Sequence, residues 1–180
     1  MSVSPVSQAS VSPLATPSGW RECRADEDRA LWYPTVARLY DYWLSIAPEG
    51  GLPGRQHLDP IDLGPVLPHL WMLDVLRAGT DDYRYRYRLV GTAEVATLQR
   101  EVTGRWFDEV HGGPSAIYGR FRHMIENRVG TYRKGIVGLS HHEDHRMVEN
   151  CMVPLAGDGR SVDIIVCCSV LFTASGEAVH

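Results

Sequence analysis

The sequence predicts an α+β fold: a five-stranded antiparallel sheet with helices across one face, preceded by an N-terminal amphipathic helix. Three observations predict it. Two strand-like runs, 70–77 and 83–90, flank a polar turn. Helical patterns fill residues 92–129, and three runs rich in β-branched residues, 131–139, 146–155 and 162–172, occupy the last third.

The first helix is expected from Pro34 to Ile46, with Pro34 suiting the first turn. Thr35, Leu39, Tyr42, Trp43 and Ile46 fall on one side, and Arg38, Asp41 and Ser45 on the other. Pro48, Gly50, Gly51, Pro53 and Gly54 end it. Asp59 then caps a short helix starting at Pro60, and Pro65 and Pro68 keep it short. In the second strand Tyr83, Tyr85 and Tyr87 alternate with Arg84, Arg86 and Arg88, so the rings occupy one face and the guanidinium groups the other. Such a stripe suits nucleic acid, yet a half-buried antiparallel strand produces the same alternation, and the acidic chain favours the strand.

Gly91 ends that strand and Thr92 caps a short helix reaching about Arg100. Thr103 to Phe107 make a turn and short helix, and Gly112, Gly113 and Pro114 break the chain. A longer helix follows, capped by Ser115, with Ile117, Phe121, Met124, Ile125 and Val129 forming its buried stripe and Gly130 closing it. The last two strands form a hairpin through Gly157, Asp158 and Gly159. If Ala156 opposes Arg160, the even-numbered residues Val148, Asn150, Met152, Val162, Ile164, Val166, Cys168 and Val170 share one face; a one-residue slip reverses the assignment.

The 180 residues fit one domain plus appendages, organised as a Ser/Pro-rich disordered tail over 1–25, a flanking helix over 26–50, the main domain over 51–174 and a C-terminal tail over 175–180. A chain of this size buries roughly two-thirds of its unfolded surface, so disulfides are unnecessary. The net charge of −4, with no basic block and Lys134 as the single lysine, argues against a phosphate-binding footprint. No apolar run approaches the ~20 residues of a membrane span. The first 20 residues lack charge and are interrupted by Pro5, Pro13 and Pro17, unlike a secretory signal. Cys23, Cys151, Cys167 and Cys168 have no CxxC or framework spacing, which fits reduced thiols in a cytoplasmic protein.

Several words occur in a telling order: DYW at Asp41 to Trp43, LPGR at Leu52 to Arg55, DPIDLGPVLPHL at Asp59 to Leu70, YRLVGT at Tyr87 to Thr92 and TGRWFDE at Thr103 to Glu109, then the closing hairpin. Over about Asp41 to Phe172 the chain resembles a bacterial PAS-domain family, the PAS 5 type. The resemblance implies a sensory or regulatory module for signal transduction rather than an enzyme, in which helices and sheet enclose a small cavity. It also implies a flanking helix that covers the sheet or meets a protein partner or a second copy in a dimer; cover and partner surface are both open. Leu39, Tyr42, Trp43 and Ile46 are the candidate interface residues. No catalytic or output domain is expected after Phe172, so a signal leaves by association.

Candidate ligand-pocket residues are Tyr85, Tyr87, Trp106, Phe107, Phe121, Ile125 and Asn150, each also an ordinary core residue. Asn150 stands out because a buried amide must be hydrogen-bonded, and a ligand can supply the partner. No cofactor is assigned beyond an unidentified small ligand. The alternative is a metal- or haem-binding protein. His141, His142 and His145 with Glu143 and Asp144 form a metal-like cluster in which His141 and His145 have helical metal spacing, although they fall between strands, where adventitious nickel or zinc binding is the ordinary behaviour. His123 is the best-placed axial haem candidate, ahead of His69 and His111. No Gly-x-Ser-x-Gly elbow and no glycine loop of phosphate-cradling pattern occurs.

Overall fold

A computed structural model describes residues 19–79, 82–113, 116–136 and 145–179. Among them, six antiparallel strands form one sheet, accompanied by four α-helices. The strands are β1 (Trp20–Glu22), β2 (Leu70–Arg77), β3 (Tyr83–Val90), β4 (Thr131–Ile136), β5 (His145–Leu155) and β6 (Ile164–Thr173), and the helices are α1 (Pro34–Ser45), α2 (Thr92–Leu98), α3 (Phe107–His111) and α4 (Ile117–Asn127). In space the strands run β1-β4-β5-β6-β2-β3, so the last strand joins the early hairpin to the late one.

The predicted five strands become six, and the first element is a strand rather than the helix. Trp20–Glu22 pairs with Arg133, Tyr132 and Thr131, and the Cys23 N–H donates to the Gly130 carbonyl at 2.8 Å. Residues 20–23 therefore belong to the sheet and not to the tail expected over 1–25; residues 1–18 lie outside the described residues. Three residues carry no readable alternation, and only the edge of β4 makes them a strand.

Both faces of the sheet are covered. The β5 and β6 residues that face α1 are Glu149, Cys151, Cys168 and Val170, while Asn150, Met152, Cys167 and Ser169 face α3 and α4. The hairpin register differs from the expected one, because Leu155 opposes Ile164 and an eight-residue loop, 156–163, replaces a tight turn. Odd residues of β5 thus share a face with even residues of β6. Asp163 and Asp158 hold this loop: Asp163 accepts the Gly157 N–H, and Asp158 accepts the Arg160 and Ser161 N–H groups. Pro154 is tolerated in β5 because β4 pairing stops at Thr131 and Met152.

Other local expectations shift. The stretch after Asp59 is a series of turns between 3₁₀ segments at Arg55–His57 and Leu67–His69, with the Asp59 carboxylate accepting the Ile61 N–H at 2.8 Å; its prolines deny it a continuing helix. Ser115 lies outside the described residues. Gly91, not Thr92, occupies the N-cap of α2. Arg128, at φ 55°, ends α4 in the left-handed conformation, so Gly130 does not close the helix. It is required instead by a close approach, because a side chain there would strike the Tyr40 ring at 2.9 Å. In β3 the alternation is as read, with Tyr85 and Tyr87 buried and Arg86 and Arg88 outward on Asp74 at 3.1 and 2.8 Å.

Gly91 lies close against the preceding 3₁₀ segment, since an added Cβ would sit 2.3 Å from the Leu67 carbonyl oxygen and 2.4 Å from that of Pro68. Gly91→Ala is expected to destabilise the fold by about 1–3 kcal/mol, as overpacking does. Urea denaturation measures it; an unchanged midpoint would remove this contact as a constraint.

Candidate functional site

The inner face of the sheet gathers most of the predicted pocket residues into one aromatic cluster. Tyr85 and Tyr87 stand on β3, Phe107 opens α3 and Phe121 lies mid-way along α4, all buried. Ring centroids are 4.8 Å apart for Tyr85 and Phe121, 5.6 Å for Tyr87 and Phe107, and 5.3 Å for Phe107 and Phe121. Trp71 of β2 joins them at 6.2 Å from Tyr87 and 6.5 Å from Phe121. Ile125 is buried one turn beyond Phe121. Trp106 is elsewhere: it bridges the outer edge of β3 at Arg86, and the Arg84 guanidinium lies over its ring at 3.9 Å from the centroid.

Polar groups are placed among these rings. The Tyr87 hydroxyl meets His111 Nε2 at 2.8 Å, and the Trp71 indole N–H donates to Ser169 Oγ at 3.1 Å. Asn150 has a protein partner. Arg120, only 2 % exposed, donates from Nη1 to Asn150 Oδ1 at 2.7 Å, from Nε to Thr131 Oγ1 at 2.8 Å and from Nη2 to the Thr131 carbonyl at 2.9 Å. Burial without a carboxylate partner pulls this guanidinium down to about 10. Arg120 clamps α4 to β4 and β5, a role absent from the sequence reading. Its position was the available signal, since residue 120 shares a helix face with Ile117, Phe121 and Met124.

Glu94 of α2 differs from all of these. Among the described residues it makes no hydrogen bond and no ion pair, and burial pushes its carboxyl up to about 8. Its charge would be felt at Tyr87, Cys167 and Cys168, thiols and hydroxyl that burial itself pushes up. No residue of α2 is fully buried; Ala93, Glu94, Val95, Thr97 and Leu98 are all half-buried. The helix packs mainly against the 3₁₀ segment Leu67–His69.

On the outer face, α1 lies across β5 and β6. Its Trp43 indole N–H donates to the Pro154 carbonyl at 2.8 Å, and Trp32, just before it, stacks on Tyr132 with centroids 4.2 Å apart. The helix start is held by Glu149, a carboxylate with no exposure, which accepts the Tyr33 N–H, the position where a helix favours negative charge. Lys134, half exposed, brings its ammonium to 2.9 Å from Glu149 Oε2, too oblique for a hydrogen bond and hence an ionic contact. The single lysine of the chain thus lies against the most buried carboxylate among the described residues. Of the four candidate interface residues, Leu39 and Trp43 are spent against the sheet, whereas Tyr42 and Ile46 line an open groove of about 770 Å³ with Arg38, Asp41, Asp62 and Pro65. The buried stripe is Val36, Leu39, Tyr40 and Trp43, rotated from the predicted one because Tyr42 turns to the 57–59 backbone, its hydroxyl accepting the Asp59 N–H at 2.8 Å.

The predicted histidine cluster falls largely outside the described residues. His141 and His142, with Glu143 and Asp144, lie outside the described residues, and His145 is placed only by its backbone, as the first residue of β5. Among the described residues no three His, Cys, Asp or Glu side chains come together as metal ligands. His123 is half-buried, with Nε2 at 2.6 Å from Glu22 and Nδ1 at 3.3 Å from Asn127, tying α4 to β1. His69 is buried in the 3₁₀ segment before β2. No described helix is long and apolar enough to cross a membrane.

Removing one partner of a buried ion pair strands the other. Lys134→Met is expected to cost about 1–3 kcal/mol, less than the 3–5 of a fully buried pair because the lysine is half exposed, and adding Glu149→Gln is expected to restore most of it. Chemical denaturation of both variants measures the coupling; additive losses would contradict it. Glu94 predicts a pH dependence. Its folded value lies above the unfolded one, so folding takes up a proton, and its contribution is complete below the unfolded value of 4.5 and is lost as pH rises through about 8. Glu94→Gln is expected to flatten this fall and to melt higher than the parent above pH 8, as scanning calorimetry would record. No protein-family model matches the chain, and no curated protein matches it.

Proposed function

We propose that this chain is a PAS-like sensory or regulatory module that binds a small ligand at its inner face and passes the event to a protein partner or a second copy, with no catalytic output of its own. One observation carries the reading: the same two strands, β5 and β6, form the wall of the inner aromatic cluster and the floor under α1. Neighbouring residues serve opposite sides. Asn150 holds Arg120 inside while Glu149 holds the start of α1 outside, and Cys167 faces the interior while Cys168 lies under the Thr35 carbonyl. A shift of β5 felt at Asn150 is necessarily felt at Glu149, because the two share a backbone.

The order of hairpin, helices and three strands supports the PAS resemblance, and the open groove beside Tyr42 and Ile46 supports an α1-side partner. A ligand changes partner binding only if it has different affinity for the free and bound conformations. The coupling requires that inner-face occupancy alter the attachment of α1.

Native mass spectrometry of freshly purified protein reports retained small molecules and assembly state together, and hydrogen exchange reports protection of α1. The expected result is a retained small molecule whose removal changes exchange in α1 or the dimer fraction. Identical exchange and mass with the ligand present and removed would refute the coupling.

A further inference from the structure

We infer that Lys134 is an acylation site that controls the attachment of α1: a small acyl phosphate transfers its acyl group to the Nζ amine, and loss of the ammonium charge loosens the start of the helix. No ligand at the inner face is needed for this. Lys134 is the single lysine of the chain and hence its one side-chain amine. It is half exposed, and it stands where β4 has no strand on its outer edge among the described residues, since the pairing with β1 ends at Arg133. The amine is therefore within reach of a solute, although its Nζ lies 2.9 Å from a carboxylate, Glu149, that has no exposure.

A lysine on an exposed surface loses little when it is acylated, because its ion pairs there are weak. Lys134 differs in what it faces. Glu149 Oε1 accepts the Tyr33 N–H at the N-cap of α1, while Oε2 makes no hydrogen bond and has the ammonium group opposite. The Tyr132 hydroxyl also faces this carboxylate and stays neutral, because burial pushes its titration up. Among the described residues Lys134 is thus the one cation paired with Glu149. In the transfer the deprotonated Nζ attacks the acyl carbon, and the new N–C bond forms as the C–O bond to phosphorus breaks. Inorganic phosphate leaves with the bonding pair, the proton of the ammonium group goes to solvent, and nothing is oxidised or reduced. The resulting amide carries no charge, so a buried carboxylate is stranded. Its cost falls on the contact that Glu149 makes, which is the first turn of α1.

The test treats the full chain with acetyl phosphate, finds the modified residue by peptide mass spectrometry and follows the amides of α1 from Ala37 onward by hydrogen exchange. Lys134 is expected to take an acetyl group, and these amides to exchange at least about fivefold faster in the modified chain. Lys134→Gln is expected to exchange like the acetylated chain, and Lys134→Arg, which keeps the charge and offers no amine, to exchange like the parent before and after treatment. In Glu149→Gln there is no carboxylate to strand, so acetylation of Lys134 is expected to leave α1 unchanged. If Lys134 stays unmodified while a lysine-containing reference peptide in the same solution is acetylated, the acylation site is overturned. If Lys134 is acetylated and α1 exchanges as before, if Lys134→Gln exchanges like the parent, or if acetylation speeds exchange equally in Glu149→Gln, the control of α1 through this ion pair is overturned.

Discussion

The structure depends on β6 occupying the centre of the sheet. It pairs with β5 on one edge and with β2 on the other, and the run from Ile164 to Leu171 is buried without a break. An antiparallel strand buried on both faces cannot alternate apolar and polar residues, so this stretch reads as a nearly continuous apolar run broken only by Ser169, whose hydroxyl accepts from the Trp71 indole. Because residues 70–77 and 145–155 both wait for this strand, the sheet can be completed only after the C-terminal segment is in place. Such non-local pairing demands loop closure before it rewards the chain.

Two charged groups mark the two sides of that sheet, and each is solved differently. Glu149 on the outer face meets a helix start and an ammonium, so its charge is compensated and fastens α1. Arg120 on the inner face meets only neutral acceptors, and desolvation lowers its affinity for a proton. Arginine suits this role because its planar fork reaches a side-chain amide, a hydroxyl and a carbonyl at once, which a lysine at the same place would not. Both clamps join a helix to β4 and β5, so the late hairpin is the frame on which the two layers of helix are hung.

The main local elements were legible from pattern. The 83–90 alternation, the apolar run of β6 and the helices beginning near Pro34 and Ile117 follow from spacing alone, since burial on one face imposes a period and burial on both removes it. β1 was not legible because three residues cannot show a period. The hairpin faces differ from those the pattern implies because Gly157-Asp158-Gly159 looks like a tight turn, whereas the carboxylates of Asp158 and Asp163 organise a longer loop and shift the register by three residues, an odd number. Of the candidate pocket residues, Tyr85, Tyr87, Phe107 and Phe121 meet in one cluster, Ile125 lies in the same core, Asn150 is satisfied by Arg120, and Trp106 stands on the outer edge under Arg84.

What the sequence determined by itself was local: which segments are strands or helices, which residues are apolar enough to be covered, and where glycine and proline interrupt them. The partners were decided by tertiary structure. That Lys134 meets Glu149, that Arg120 meets Asn150, and that Glu94 meets no partner among the described residues are results of strands and helices far apart in the chain being brought to one face or the other. Periodicity records that a side chain faces inward; it carries no record of what waits there, because the opposing groups come from other segments whose register a single residue can reverse.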